Sequence, residues 1–206
     1  VGDVAEAVAI ALAGRAKQQK VGLTPRKLAA KGIKLTDEAT VYKSLGLQFI
    51  EPELREGRGE VAAAMRGELP RLVTASDIRG DLHMHSTSSD GANSIAEMAA
   101  AAQSRGYSYI AITDHSQSLR IARGVSSRDL RKQLRQIDEF NATQKGFVIL
   151  KSAEVDILED GRLDYPNALL KELDFTICSI HSYFQRTKSQ QTARILRAMD
   201  NPYFNI

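Results

Sequence analysis

Four short apolar runs, at residues 81–85, 109–114, 147–154 and 175–181, are separated by stretches with the periodicity of helices. Such alternation predicts consecutive βα units with parallel strands, because parallel neighbours need a crossover long enough to hold a helix. The helix boundaries are written into the chain. Ser94-Ile95-Ala96-Glu97 has the form of a capping box, and Gly106 stands where that helix must stop. A second helix is expected over about 127–143, with Leu130, Leu134 and Ile137 on one face and Gly146 beyond its end. A shorter one is expected from Pro166, with proline in its first turn, and a fourth over about 190–199 ahead of Pro202. In an array of this kind the carboxyl ends of all the strands face the same way, so groups placed there converge.

All four histidines of the chain, His83, His85, His115 and His181, fall at or just past the expected strand ends. His83 and His85 are two residues apart on a strand and so share a face, where their imidazoles can share one metal ion. Asp90 follows in the turn sequence Ser89-Asp90-Gly91, which can fold a carboxylate back over the strand end, and Glu154 closes the third run. A lone His-x-His is a weak signal, since a histidine on a strand is more often a core or edge residue. Here each of four separate strand ends supplies a histidine or a carboxylate, and that coincidence points to a metal site built from His83, His85, Asp90, His115, Glu154 and His181.

The segments Gly80-Asp81-Leu82-His83-Met84-His85-Ser86, Ser89-Asp90-Gly91, Ile112-Thr113-Asp114-His115-Ser116, Ala153-Glu154-Val155-Asp156-Ile157 and Ser179-Ile180-His181-Ser182 resemble the successive motifs of PHP (polymerase and histidinol phosphatase) domains. They look most like the PHP domains fused to bacterial family X DNA polymerases. The resemblance covers nearly everything after Arg79 and implies an α/β fold, a distorted (β/α)7 barrel cut short after about four βα units. It also implies that the six residues above are both metal ligands and catalytic, and that Asp114 and Asp156 either steady the ligands or are structural. The family brings further ligands from a Gly-His-Pro and an Asp-Ala-His segment, and this sequence contains neither. A set of nine ligands would then be reduced to six, and residues 201–206 resemble the run into a fifth strand.

Residues 1–80 hold no histidine and no cysteine. Helices are expected over 3–20 and 36–45, the second stopped by Gly46. The stretch from Val41-Tyr42-Lys43-Ser44 through Glu53-Leu54-Arg55-Glu56 resembles the end of the thumb of family X polymerases. The expected organisation is therefore a thumb remnant at 1–55, a linker at 56–79 containing Gly57, Gly59, Gly67 and Pro70, and the PHP domain at 80–206. No Asp-x-Asp pair suited to two metals precedes residue 80, so polymerase activity is not expected.

Charge is uneven although the formal net value is only +3. Residues 15–34 carry seven basic side chains and no acidic one, and a second basic group comprises Arg120, Arg123, Arg128, Arg131, Lys132 and Arg135. Either can be a solvated face or a surface for phosphates. Arg120 and Arg123 start a few residues after His115 and are the candidates for holding a DNA backbone beside the metals. The single cysteine, Cys178, lies in an apolar run, which excludes a disulfide framework and leads us to expect a buried thiol in a cytoplasmic protein. No apolar stretch approaches the ~20 residues of a membrane helix.

The resemblance implies metal-dependent 3′ to 5′ exonucleolytic hydrolysis of DNA, single-stranded or gapped, in repair synthesis beside the polymerase core of the same full-length chain. The cofactors it implies are divalent ions, up to three in a complete domain, with manganese first and zinc or iron also compatible with mixed nitrogen and oxygen donors. Two other readings stay open at this point: a small-molecule phosphomonoesterase of the same family, and a non-catalytic DNA-binding or scaffold fragment.

Overall fold

The computed structural model describes residues 38–206. The helix expected over 3–20 and the basic stretch at 15–34 lie outside the described residues. The chain divides into two compact units, Val1–Val73 and Thr74–Ile206.

In the first unit α1 (Glu38–Ser44) and α2 (Glu60–Arg66) enclose Tyr42, Leu47, Ile50, Val61 and Ala64. Tyr42 and Phe49 meet edge to face at 5.1 Å, and the Arg55 guanidinium lies 5.8 and 5.5 Å from their ring centroids. The region expected to be a linker is thus partly helical. Its glycines are drawn into structure by Glu60, whose carboxylate accepts from the backbone N–H groups of Gly57 (3.1 Å) and Arg58 (2.8 Å). Gly67, in the left-handed region with φ of 69°, closes α2 by donating to Ala63 and Ala64.

The second unit contains β1 (Gly80–Met84), α3 (Ile95–Ser104), β2 (Tyr109–Ile112), α4 (Ser127–Thr143), β3 (Val148–Lys151), β4 (Glu154–Asp156), α5 (Asn167–Leu170), β5 (Ile177–Ser179) and α6 (Lys188–Met199). Strands pair in the order β1-β2-β3 in one sheet and β4-β5 in another, all parallel. The run expected as one strand over 147–154 is therefore two. Lys151 exchanges hydrogen bonds with Asp174, through its N–H to the side chain (2.7 Å) and its carbonyl from the backbone (2.8 Å), where β3 ends. Three residues later Glu154 N–H turns to the carbonyls of Thr113 and Asp114, both at 3.2 Å, so the chain re-pairs with the segment following β2. That switch forms the parallel bridge between His115 and Glu154. Beyond β5, Ile206 donates to Thr176 and accepts from Cys178, continuing the parallel alternation.

The helices explain themselves at their ends. Ser94 and Glu97 form the expected capping box; Thr187 and Gln190 form another that starts α6 two residues before its expected position. The short helix expected from Pro166 is a single turn, with Pro166 at its N-cap instead of inside the first turn. On α4, Ile137 packs with Ala99, Ile110 and Ile149, whereas Leu130 and Leu134 pack with Val155, Leu169 and Ala198, so one helix backs both sheets. Asn141 of α4 also satisfies the outer edge of β3, accepting from Ile149 N–H at 2.9 Å and donating to its carbonyl at 2.8 Å. Among the described residues no helix is long and apolar enough to cross a membrane.

Candidate metal centre

Each histidine is delivered by a strand end. His83 and His85 share one side of β1 and its continuation while Met84 packs into the core, and their ring centroids are 5.2 Å apart. The His115 ring follows at 4.3 Å from His85, and His181, past β5, lies 5.0 Å from His115. Glu154, 6% exposed, sits at the middle of this row. Its Oε2 is 3.1 Å from His83 Nε2, 3.3 Å from His85 Nε2 and 3.3 Å from His115 Nδ1, and its Oε1 is 3.1 Å from His181 Nε2. Asp90 closes the other side, 3.3 Å from His85 Nδ1 and 3.7 Å from His115 Nε2. The six candidate residues form one cluster.

Burial pushes the Glu154 carboxyl upward, but hydrogen bonds from His85 and His83 and the nearby His115 ring outweigh it and hold the group at about 2. The same hydrogen bond from the carboxylate side raises His85, against its own burial. His115 is lowered, chiefly by burial. Neutral imidazole beside ionised carboxylate is the state in which both are metal ligands.

The donor set fits divalent ions. Buried His85 Nδ1 and His115 Nδ1 have no hydrogen-bond partner, although each lies 3.3 Å from a carboxylate oxygen. Close approach without alignment is what lone pairs aimed at a common cation look like, because ligand bonds of ~2.0–2.2 Å leave two donors on one ion roughly 3–3.5 Å apart. Three overlapping triads are compact enough to hold ions: His83, His85 and Glu154; His85, Asp90 and His115; His115, Glu154 and His181.

Surrounding groups hold the cluster in place. Asp114, 1% exposed, accepts from Ser86 N–H (2.7 Å), Ser86 Oγ (2.6 Å), Ser89 Oγ (2.6 Å) and Gln133 Nε2 (2.5 Å). It ties the turn between His85 and Asp90 to the end of β2. Gly91 completes that turn by close approach, since a Cβ there would collide with the His85 carbonyl. Asp156, whose carboxyl is raised by burial, lies 2.9 Å from His181 Nδ1 and sets that ring's orientation.

Arg120 and Arg123 lie on an exposed turn after His115, Arg123 in the left-handed region with φ of 56°. Neither lines the cavity of about 710 Å³ that reaches Asp156. Arg162, Arg186, Arg197 and Tyr183 do, and the basic clustering along the chain did not reveal them because they are spread over three segments.

Comparison with known proteins extends these observations. A PHP domain model matches residues 81–205, and a DNA polymerase beta thumb model matches residues 9–56. The chain is 45% identical over 169 residues to the DNA polymerase/3′-5′ exonuclease PolX of Bacillus subtilis (strain 168), a match covering 82% of this chain and 29% of that protein. It is 36% identical over 131 residues to a probable phosphatase of Thermoanaerobacter sp. (strain X514), covering 61% of this chain and 51% of the relative. A probable phosphatase of Acetivibrio thermocellus is 33% identical over 127 residues, 60% of this chain and 50% of the relative. The chain thus spans from under a third to about half the length of these curated relatives.

Proposed function

We infer the function from one premise: this chain belongs to the PHP domain family. We propose that it hydrolyses phosphodiesters with divalent metal ions, and that its substrate is the 3′ end of DNA, removed nucleotide by nucleotide in the course of repair synthesis. The observation that carries the reading is the convergence of four histidines and two carboxylates on one buried glutamate. The matched thumb and the identity to a polymerase and exonuclease favour DNA over a small phosphomonoester. On this reading residues 1–55 are the thumb's end, 56–79 a connection and 80–206 part of a distorted (β/α)7 barrel, with the remaining polymerase core as partner in the full-length chain.

His83, His85, Asp90, His115, Glu154 and His181 would hold the ions, manganese first among them. When bound, such ions polarise a phosphoryl oxygen, supply hydroxide near neutral pH and stabilise a leaving alkoxide. The chain's own contribution is positional. Glu154 sits between the histidines and keeps the donors on one side, Asp156 fixes the His181 tautomer by its contact with Nδ1, and Asp114 holds the turn bearing Asp90. Arg120 and Arg123, on the turn after His115, are proposed to contact the DNA backbone from outside the cluster.

The test is nucleotide release from 3′-labelled single-stranded DNA in manganese, with a His83→Ala, His85→Ala double variant as control and p-nitrophenyl phosphate as competing substrate class. Release that disappears in the double variant is expected. Turnover of the phosphomonoester alone would instead place the chain with its probable phosphatase relatives, a reading favoured by their match over 127–131 residues.

A further inference from the structure

The cavity beside the cluster is built from the segments that follow three of the site-bearing strand ends. Ser118 comes from the turn after His115, residues 158–162 from the loop after β4, and Tyr183 and Arg186 from the loop after His181. Its volume, about 710 Å³, lies in the ~300–1,000 Å³ range of small-molecule sites. Its charges balance, three cations (Arg162, Arg186 and Arg197) against three carboxylates (Asp156, Glu159 and Asp160), and Arg197 donates to the Asp160 carbonyl. Arg186 pairs with Glu159, Arg162 with Asp160 at 2.6 Å, and Asp156 faces His181. A cavity so balanced has little to offer a free phosphate and suits an uncharged, planar group.

Tyr183 supplies the surface for one. It has φ of 59°, a region that a bulky residue seldom enters unless its surroundings enforce it. They do so here. Its carbonyl accepts from Gln191 Nε2 at 2.9 Å, the preceding carbonyl of Ser182 accepts from Arg194 at 2.9 Å, and the Arg194 and Arg186 guanidiniums lie 5.4 and 5.7 Å from its ring centroid. The held ring nevertheless remains 50% exposed, with Phe184 beside it at 67%.

We propose that this cavity is the subsite for the base of the 3′-terminal nucleotide, with Tyr183 as the stacking surface and the Arg162 and Arg186 planes as its walls. This rests on the exonuclease reading. Aromatic rings and guanidinium planes take any base, which is what removal of nucleotides without regard to sequence requires.

Two oligodeoxynucleotides, one ending in an ordinary 3′ nucleotide and one in an abasic residue, are titrated into the chain in calcium by fluorescence anisotropy. The unsubstituted chain should bind the base-ended strand at least about fivefold more tightly, a typical effect of one stacked base. Tyr183→Phe should keep that preference. Tyr183→Ala and the bulkier Tyr183→Leu should lose it, and the second guards against a folding defect in the first. Equal affinity of the unsubstituted chain for both strands, or a preference that survives in Tyr183→Leu, would overturn the subsite. Hydrolysis of the same strands in manganese is scored separately. A base preference without hydrolysis would retract the exonuclease reading and leave the subsite, and hydrolysis without base preference would do the reverse.

Discussion

Replacing Asp114 tests whether the turn carrying Asp90 is held by a carboxylate or only by its own chain. Four donors converge on this side chain within 2.5–2.7 Å: two hydroxyls, one backbone N–H and one amide. In Asp114→Asn the new amide nitrogen can take the place of Oδ2. Ser86 Oγ can turn to accept from it, and Gln133 can flip so that its Oε1, buried and without a partner in the native protein, accepts too. The network then survives without its charge, at a cost of about 1–2 kcal/mol. Asp114→Ala allows no such repair. Ser86 N–H and the Gln133 amide lose their acceptor in a buried space, which at ~1–3 kcal/mol for each stranded group, plus a small cavity, comes to about 3–5 kcal/mol. For a unit of this size ~1 kcal/mol shifts the melting temperature by roughly 4 °C, so the expected losses are about 4–8 °C for asparagine and about 12–20 °C for alanine. Thermal unfolding followed by circular dichroism measures both. If alanine is as mild as asparagine, the carboxylate is not what fastens the turn.

Arg194 is 1% exposed and donates to the carbonyls of Leu158, Ser182 and Ile157, joining the loops after β4 and β5. Arg194→Met strands three carbonyls and should cost about 3–5 kcal/mol, read from urea midpoints at unchanged slope; a loss under ~1 kcal/mol would refute that accounting. Gly91→Ala should displace the Asp90 turn and cost about 1–3 kcal/mol, and a melting temperature equal to that of the unsubstituted chain would show that the turn yields freely. Burial raises the Cys178 thiol, so its reaction with a disulfide reagent should be slow in the folded protein and fast in urea, with prompt native labelling as the contrary result.

What could be seen in the sequence follows the range of the physics involved. The His-x-His pair, the boxes at Ser94 and Thr187 and the apolar face of α4 are local, set by a period of two or about three and a half residues, and local periodicity is visible in a string of letters. Thr187-x-x-Gln190 was such a signal as well, and α6 could have been started at its true boundary from it. The division of 147–154 into β3 and β4 was not legible, because it depends on Asp174 capping one strand and on carbonyls at 113 and 114 capturing the other. Glu60 shows the same dependence at shorter range: a glycine-rich stretch that composition marks as a connection becomes ordered once one carboxylate folds back on two backbone N–H groups. The cavity arginines make the functional version of the point. Of the basic residues adjacent in sequence from Arg120 to Arg135, Arg120 and Arg123, the candidates for a DNA contact, lie on the turn after His115, and the other four lie on α4, whose buried stripe leaves them outward. Arg162, Arg186 and Arg197 stand far apart in the chain and meet only because the loops after β4 and β5 and the helix α6 come together on one side. In a parallel array the strand ends are what sequence can locate, and the loops that leave them are where searches for substrate contacts should begin, ahead of any run of charge.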